Sequence, residues 1–208
     1  MKAFSMLLDG LIAAPKEQRH VIEQLIRNTF AKKKAVLALD MSDFTLSVRR
    51  EGILPYLCQI RRMHRITLPI VRSHQGELIK YEADNLLAVF DDPRQAVEAA
   101  IAAHQAAKES SRDGPPLAFS IGIDYGELLL VADSDCFGDP VNLAYKLGED
   151  IAQAGEILIT SGVKEQVGDV PHFQLREMRF SIAGVELSAY SVLYDLAEPG
   201  ATPDTGRT

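Results

Sequence analysis

Five consecutive apolar residues, Ala35-Val-Leu-Ala-Leu39, constrain this chain more than any other feature. An unbroken apolar run of that length suits a central strand buried in a sheet, since a strand with one wet face alternates apolar and polar residues. The basic run Lys32 to Lys34 leads into it, and Asp40 follows directly.

The rest of the pattern decides what kind of sheet surrounds that strand. Residues 4 to 31 carry apolar side chains at helical spacing, and Pro15 divides them into two short helices. A helix is expected over 53 to 73. Glu77 to Glu82 and Asn85 to Phe90 read as strands joined by a tight turn at Ala83-Asp84. Pro93 opens an alanine-rich helix reaching about Ser110, with Asp92 as its N-cap. Leu117 to Asp124 and Glu127 to Ala132 read as a strand pair turning at Tyr125-Gly126. Pro140 to Ala154 reads as a helix stopped by Gly155. Glu156 to Thr160 is a short strand, and Phe173 to Phe180 with Leu187 to Tyr194 form a last antiparallel pair. Helices and strands interleave, but several strands turn back on themselves within a few residues. That favours an α+β sheet with helices on one face over a doubly wound parallel sheet.

The chain divides into an N-terminal helical segment at 1–33, a sheet-containing domain at 34–195 and a tail at 196–208, rich in Pro, Gly and Thr, that is expected to be disordered. At 208 residues it suits one domain plus flanking segments. A net charge of −7 gives no overall attraction to nucleic acid or anionic membrane, so an anionic substrate must be held by local charge. Cys58 and Cys136 form no CxxC pair or zinc set and read as reduced thiols. No apolar run approaches the ~20 residues that span a bilayer. Asp9 and Gly10 interrupt the N-terminal apolar stretch, which is therefore read as a helix, not a targeting segment. These features place the chain in the cytoplasm.

Two aspartates stand at strand ends. Asp40 follows the apolar run, and Asp84 occupies the turn between two strands. Carboxylates there are rigidly placed, and two that converge can hold hard cations that keep positions open for phosphate. Taken alone, such residues more often cap turns.

Their surroundings resemble the signatures of class III adenylyl and guanylyl cyclases. Asp40-Met-Ser-Asp-Phe-Thr45 resembles the first, an Asp-x-x-Gly-Phe-Thr segment after a buried strand. Gly76-Glu-Leu-Ile-Lys-Tyr-Glu-Ala-Asp84 is similar to the second, with a lysine four residues before an aspartate. Asp135-Cys-Phe-Gly-Asp-Pro-Val-Asn-Leu-Ala-Tyr-Lys146 is similar to the third, Asp-x-x-Gly-x-x-Val-Asn-x-Ala-x-Arg. Ile121 to Gly126 and Gly155 to Ile159 resemble the adjoining strands, and the likeness runs from about 34 to 194. It implies a ferredoxin-like cyclase domain with a mostly antiparallel sheet, working as a homodimer with each active site at the interface. It also implies that Asp40, Asp84 and the carbonyl of Met41 hold two Mg²⁺ or Mn²⁺ ions, and that Phe44 and Thr45 line the phosphate loop. Lys80 and Asp135 correspond to the purine readers, and the pair suits adenine. An ammonium donates to a ring nitrogen and a carboxylate accepts from the 6-amino group. Asn142 and Lys146 correspond to the residues that orient the ribose and steady the transition state. The expected reaction is ATP to cyclic AMP and pyrophosphate. The rival expectation is a cyclase-like module that binds nucleotide or dimerises without turnover, and a regulatory protein partner is left open.

Three positions depart from the family pattern near the phosphates. Lys146 stands for an arginine, Asp43 for a glycine, and Ala183 for a lysine. Lysine keeps the charge but not the planar fork that grips two oxygens. Asp43 adds a side chain and a negative charge where backbone N–H groups approach an anion. Losing one such group costs about 2–4 kcal/mol of transition-state stabilisation, a ~30- to 1000-fold slower reaction.

Overall fold

The structure, a computed structural model, describes residues 1–41, 52–112, 115–131, 134–182 and 185–194. It opens with two helices, α1 (Lys2–Ala13) and α2 (Lys16–Phe30). Pro15 separates them as expected. The residue before a proline is pushed out of the helical region, and Ala14 sits at φ −68°, ψ 140°.

β1 (Ala31–Met41) begins earlier than its apolar core and carries the basic run in its first turns of pleat. It pairs antiparallel with β3 (Asn85–Phe90) on one side and β4 (Phe119–Val131) on the other. Between β1 and β3 lie α3 (Ile53–Ser73) and the edge strand β2 (Glu77–Glu82). The turn from β2 to β3 places Ala83 at φ 52°. α4 (Pro93–Ser110) starts as read from the sequence, with the Asp92 carboxylate accepting the Arg94 N–H at 2.9 Å.

β4 departs from expectation. No turn occurs at Tyr125-Gly126; the strand runs straight through, with Ala35 opposite Tyr125 and Lys34 opposite Gly126. Gly126 answers to a close approach instead of a turn, because a Cβ there would lie 2.8 Å from the Pro140 ring. The reversal comes after Val131, where β5 (Asp135–Phe137) folds back onto the end of β4. The helix expected from Pro140 to Ala154 is also divided. α5 (Asp139–Tyr145) is α-helical, and Lys146–Ile151 continue as a π-helical turn. β6 (Ile157–Thr160), α6 (Ser161–Val167), β7 (Gln174–Ile182) and β8 (Val185–Leu193) complete the described chain. The short α6 was not read from the sequence.

The strands form one sheet in the order β2-β3-β1-β4-β6-β8-β7, with β5 on β4. The β4–β6 pairing is parallel and every other pairing is antiparallel. Helices cover both faces, not one. Leu37, Leu39 and Met41 pack with α3 and α4, while Val36 and Ala38 pack with α5 through Val141 and Ala144. A central strand that is apolar on both sides needs a layer on each. The N-terminal helices close over the end of β4 and β5, where the Phe4 ring stacks on Phe137 at 5.6 Å. Among the described residues no helix is long and apolar enough to cross a membrane.

Candidate active site

Three strand ends and one helix junction meet on the sheet face covered by α5. Asp40 lies in register with Asn85 of β3 and Ser120 of β4, so its side chain is fixed by two ladders. The Met41 N–H donates to the Asp84 carbonyl at 3.3 Å, which ties the β2–β3 turn to the end of β1. Asp40 and Asp84 therefore stand at adjoining element ends. Burial pushes the Asp40 carboxyl up to about 7, and the charges of Asp84 and Glu149 push the same way; a hydrogen bond from the Met41 N–H pulls against them. The Tyr56 hydroxyl of α3 is raised well above the usual phenol range, by burial first and then by its hydrogen bond to Asp84.

Glu149 is the site residue that the sequence did not offer. The π-helical turn carries it, and Asn85 Nδ2 donates to its Oε1 at 2.8 Å. Burial raises its carboxyl, followed by the charges of Asp150, Asp84 and Glu82. The other amide atom, Asn85 Oδ1, is buried and has no hydrogen-bond partner among the described residues. The turn reaches the sheet through two glycines. A Cβ on Gly122 would lie 2.1 Å from the Ala144 carbonyl oxygen and 2.5 Å from the Gly148 nitrogen.

Lys80 and Asp135 are 55 residues apart in sequence and meet in space. The Lys80 ammonium donates to Asp135 Oδ2 at 3.2 Å and also lies 3.2 Å from Glu82 Oε2. Burial, the largest single influence, pulls Lys80 down, yet the bonds to Asp135 and Glu82 together hold it above the ordinary ammonium value. The Tyr145 hydroxyl feels Lys80, Glu82 and Glu149 at once and is pushed up to about 12, mainly by burial. Tyr145 is thus within electrostatic reach of both Glu149 and Lys80. Asn142 is exposed on α5, one turn before Lys146, whose N–H bonds to the Asn142 carbonyl. The Lys146 ammonium is engaged by Asp150, four residues on. Phe44 and Thr45, with Asp43, lie outside the described residues, as does Ala183.

The donor set fits divalent cations of the magnesium type. Asp40 and Asp84 press on each other electrostatically, and a dication relieves that pressure. Among the described residues no group of three or more His, Cys, Asp and Glu side chains could hold a metal ion by itself. Magnesium is commonly bound by one or two carboxylates, with waters and substrate phosphates filling the remaining positions.

Comparisons with known proteins agree with this geometry at the level of the fold. No family model matches the chain. Over 136 residues, 64% of its length, it is 32% identical to the putative adenylate cyclase 3 of Rhizobium meliloti (strain 1021). The chain spans only 16% to 34% of the length of the curated relatives it matches. Among solved structures it is similar to an adenylate/guanylate cyclase/hydrolase from Silicibacter pomeroyi, with a TM-score of 0.67 and 24% identity over 79% of this chain and 98% of that one. It is similar also to the adenylyl cyclase CyaB from P. aeruginosa, with a TM-score of 0.67 and 22% identity over 85% of this chain and 99% of that one. Guanylyl cyclases are matched at comparable TM-scores. The sheet, with its helices and strand order, is therefore the fold of the class III adenylate/guanylate cyclase catalytic domain.

Proposed function

We propose that this chain is an adenylate cyclase domain that converts ATP to 3′,5′-cyclic AMP and pyrophosphate in the cytoplasm, at the interface of a symmetric homodimer. The observation that carries this reading is the pairing of Lys80 with Asp135 in a chain that also sets Asp40 within electrostatic reach of Asp84. With ATP bound, the Lys80 ammonium would turn from Asp135 and Glu82 toward a purine ring nitrogen. Asp135 would accept from the 6-amino group. Guanine offers a carbonyl there, which a carboxylate repels. One chain carries both the metal-binding and the base-reading half-sets, so a two-fold dimer would have two equivalent sites.

Asp40, Asp84 and the Met41 carbonyl would hold two Mg²⁺ or Mn²⁺ ions. When bound, the ions supply charge neutralisation of the triphosphate and a lowered pKa for the ribose 3′ hydroxyl. Asn142 would orient the ribose so that the 3′ oxygen faces the α-phosphorus, with pyrophosphate leaving opposite. Phe44 and Thr45 would line the phosphate loop. Lys146 would neutralise charge developing on the phosphate oxygens, and to do so it must leave Asp150.

The Lys146–Asp150 contact also favours the second reading, a nucleotide-binding or dimerising module with little turnover, because the Lys146 ammonium is already held by its own helical turn. The two readings separate in one experiment. Purified protein is incubated with each of the four ribonucleotides and Mn²⁺ or Mg²⁺, and products are identified by mass. Cyclic AMP from ATP is the expected product. Nucleotide binding without any cyclic product would establish the second reading. Lys146→Arg is expected to raise the rate ~10-fold or more by restoring the two-oxygen grip; an unchanged rate would remove Lys146 as the cause of slow turnover.

A further inference from the structure

Asn85 opens β3 directly opposite Asp40 in the β1–β3 ladder. Directly opposed residues of an antiparallel pair point to the same side of the sheet, with Cβ atoms ~4.5–5.5 Å apart. That gap is close to the span of one cation-bound water and its hydrogen bond. An Asn85 amide is thus placed to reach a water on an ion held by Asp40, without touching the ion itself.

The amide is not free to choose its orientation. Asn85 Nδ2 donates to Glu149 Oε1 at 2.8 Å. A carboxylate accepts and does not donate, so the amide nitrogen must face Glu149 and the carbonyl oxygen must face away. That oxygen, Oδ1, is left buried and without a hydrogen-bond partner among the described residues. Nearly every buried polar atom in a folded protein has a partner, and one without costs free energy. A half-turn of the amide would carry Oδ1 to the side of Glu149, which is exposed, and the carboxylate repels it there. Glu149 therefore enforces an arrangement that the amide alone would not adopt. It can do so because the π-helical turn is seated hard on the sheet. A Cβ on Gly148 would lie 2.9 Å from the Ala38 carbonyl oxygen and 2.9 Å from the Gly122 nitrogen. Single π-helical turns recur at functional sites. What Oδ1 lacks is a donor, and a water polarised by a dication is a strong one.

We propose that Asn85 is a positioning residue for the hydrated cation, its carbonyl oxygen accepting from a water on the ion that Asp40 and Asp84 hold, and that Glu149 fixes the amide in that orientation. The proposal rests on the reading of those two aspartates as metal carboxylates. Neither Asn85 nor Glu149 touches the ion or the nucleotide; both act through the water.

The test uses the full chain and Mn²⁺ alone, without nucleotide, with free Mn²⁺ followed by electron paramagnetic resonance and stability by metal-free melting. Asn85→Leu keeps the shape of the side chain and removes the carbonyl. It should weaken Mn²⁺ binding ~10- to 100-fold, the usual effect of losing an outer partner of a metal site. Its metal-free melting temperature should be unchanged or higher, since a buried acceptor without a donor is gone. Glu149→Asp keeps the charge but shortens the reach to Asn85, and should weaken Mn²⁺ ~3- to 10-fold. The double variant should bind no more weakly than Asn85→Leu alone, because both changes act through one carbonyl. Parental Mn²⁺ affinity in Asn85→Leu would overturn the proposal. So would a lower metal-free melting temperature with unchanged Mn²⁺ affinity, the signature of a carbonyl that serves a donor of the chain itself. Fully additive losses in the double variant would overturn the part assigned to Glu149. Asp84→Ala separates this proposal from the reading it rests on. Mn²⁺ binding lost in Asp84→Ala but kept in Asn85→Leu sinks the role of Asn85 alone, whereas equal Mn²⁺ binding by the parent and Asp84→Ala sinks the two-aspartate reading and this proposal with it.

Discussion

Asp84→Ala is expected to lower cyclic AMP formation at least ~1000-fold while leaving the fold intact. Metal ions at such a site contribute several kcal/mol of charge stabilisation, and each 1.4 kcal/mol is a tenfold change in rate. The fold should survive because Asp84 sits in a turn and is only half-buried, and its carbonyl, not its side chain, accepts the Met41 N–H. A stability measurement gives a second, independent signature. The Asp40 carboxyl is raised to about 7, by burial first and then by Asp84 and Glu149. A raised carboxyl favours the folded state below its unfolded pKa of roughly 4, and that contribution is lost as pH rises through about 7. After discounting for its partial exposure, the loss is on the order of 1–2 kcal/mol. Metal-free protein should thus melt at a lower temperature at pH 8 than at pH 5 from this source. Asp84→Ala should flatten that slope, since the nearest repelling charge is gone. Saturating Mn²⁺ should recover stability at pH 8 in the parent chain and not in the variant. Equal cyclic AMP rates for parent and Asp84→Ala would remove Asp84 from the chemistry.

Gly122→Val should destabilise the domain by about 3 kcal/mol or more, a fall in melting temperature of roughly 6–12 °C. Even the first added carbon would lie 2.1 Å from the Ala144 carbonyl and 2.5 Å from the Gly148 nitrogen. Both are backbone atoms, so no side-chain rotation relieves the clash. The π-helical turn would have to lift off β4, carrying Lys146 and Glu149 with it. Activity should therefore fall further than stability alone accounts for at temperatures where the variant is still folded. Gly10 is the matched control. It lies in α1 with nothing within 4 Å of an added Cβ, so Gly10→Ala should leave activity unchanged and add up to ~1 kcal/mol of stability. A Gly122→Val protein as stable as its parent would show that α5 and the π turn are not seated on the sheet as described.

The places of Asp40 and Asp84 in the fold were legible in the sequence because they lie at element ends. The apolar run 35–39 placed Asp40 at the end of a central strand, and the two short strands around Ala83-Asp84 placed the second aspartate. Where the sequence misled, local chemistry had two meanings. Tyr125-Gly126 reads as a turn, but glycine also permits close approach, and the Pro140 ring used it that way. The stretch after Pro140 keeps helical spacing through Val141, Ala144, Leu147 and Ile151, so nothing in it distinguishes one widened turn from a regular helix. Glu149 was missed for the same reason, because its approach to Asn85 depends on that widened turn. The seven-residue α6 is too short for periodicity to reveal it. The second helical layer could have been anticipated, since Val36 and Ala38 are as apolar as Leu37 and Leu39 and demand cover of their own.

The most direct test of two half-sites facing each other across a dimer is to mix two inactive variants. Asp84→Ala lacks the metal half and Lys80→Ala lacks the base-reading half. Subunits that exchange at equal concentration form about half heterodimers, and each heterodimer holds one intact site of two, so ~25% of parental activity should return. A mixture as inactive as its components, with exchange verified by mass, would contradict a shared interfacial site.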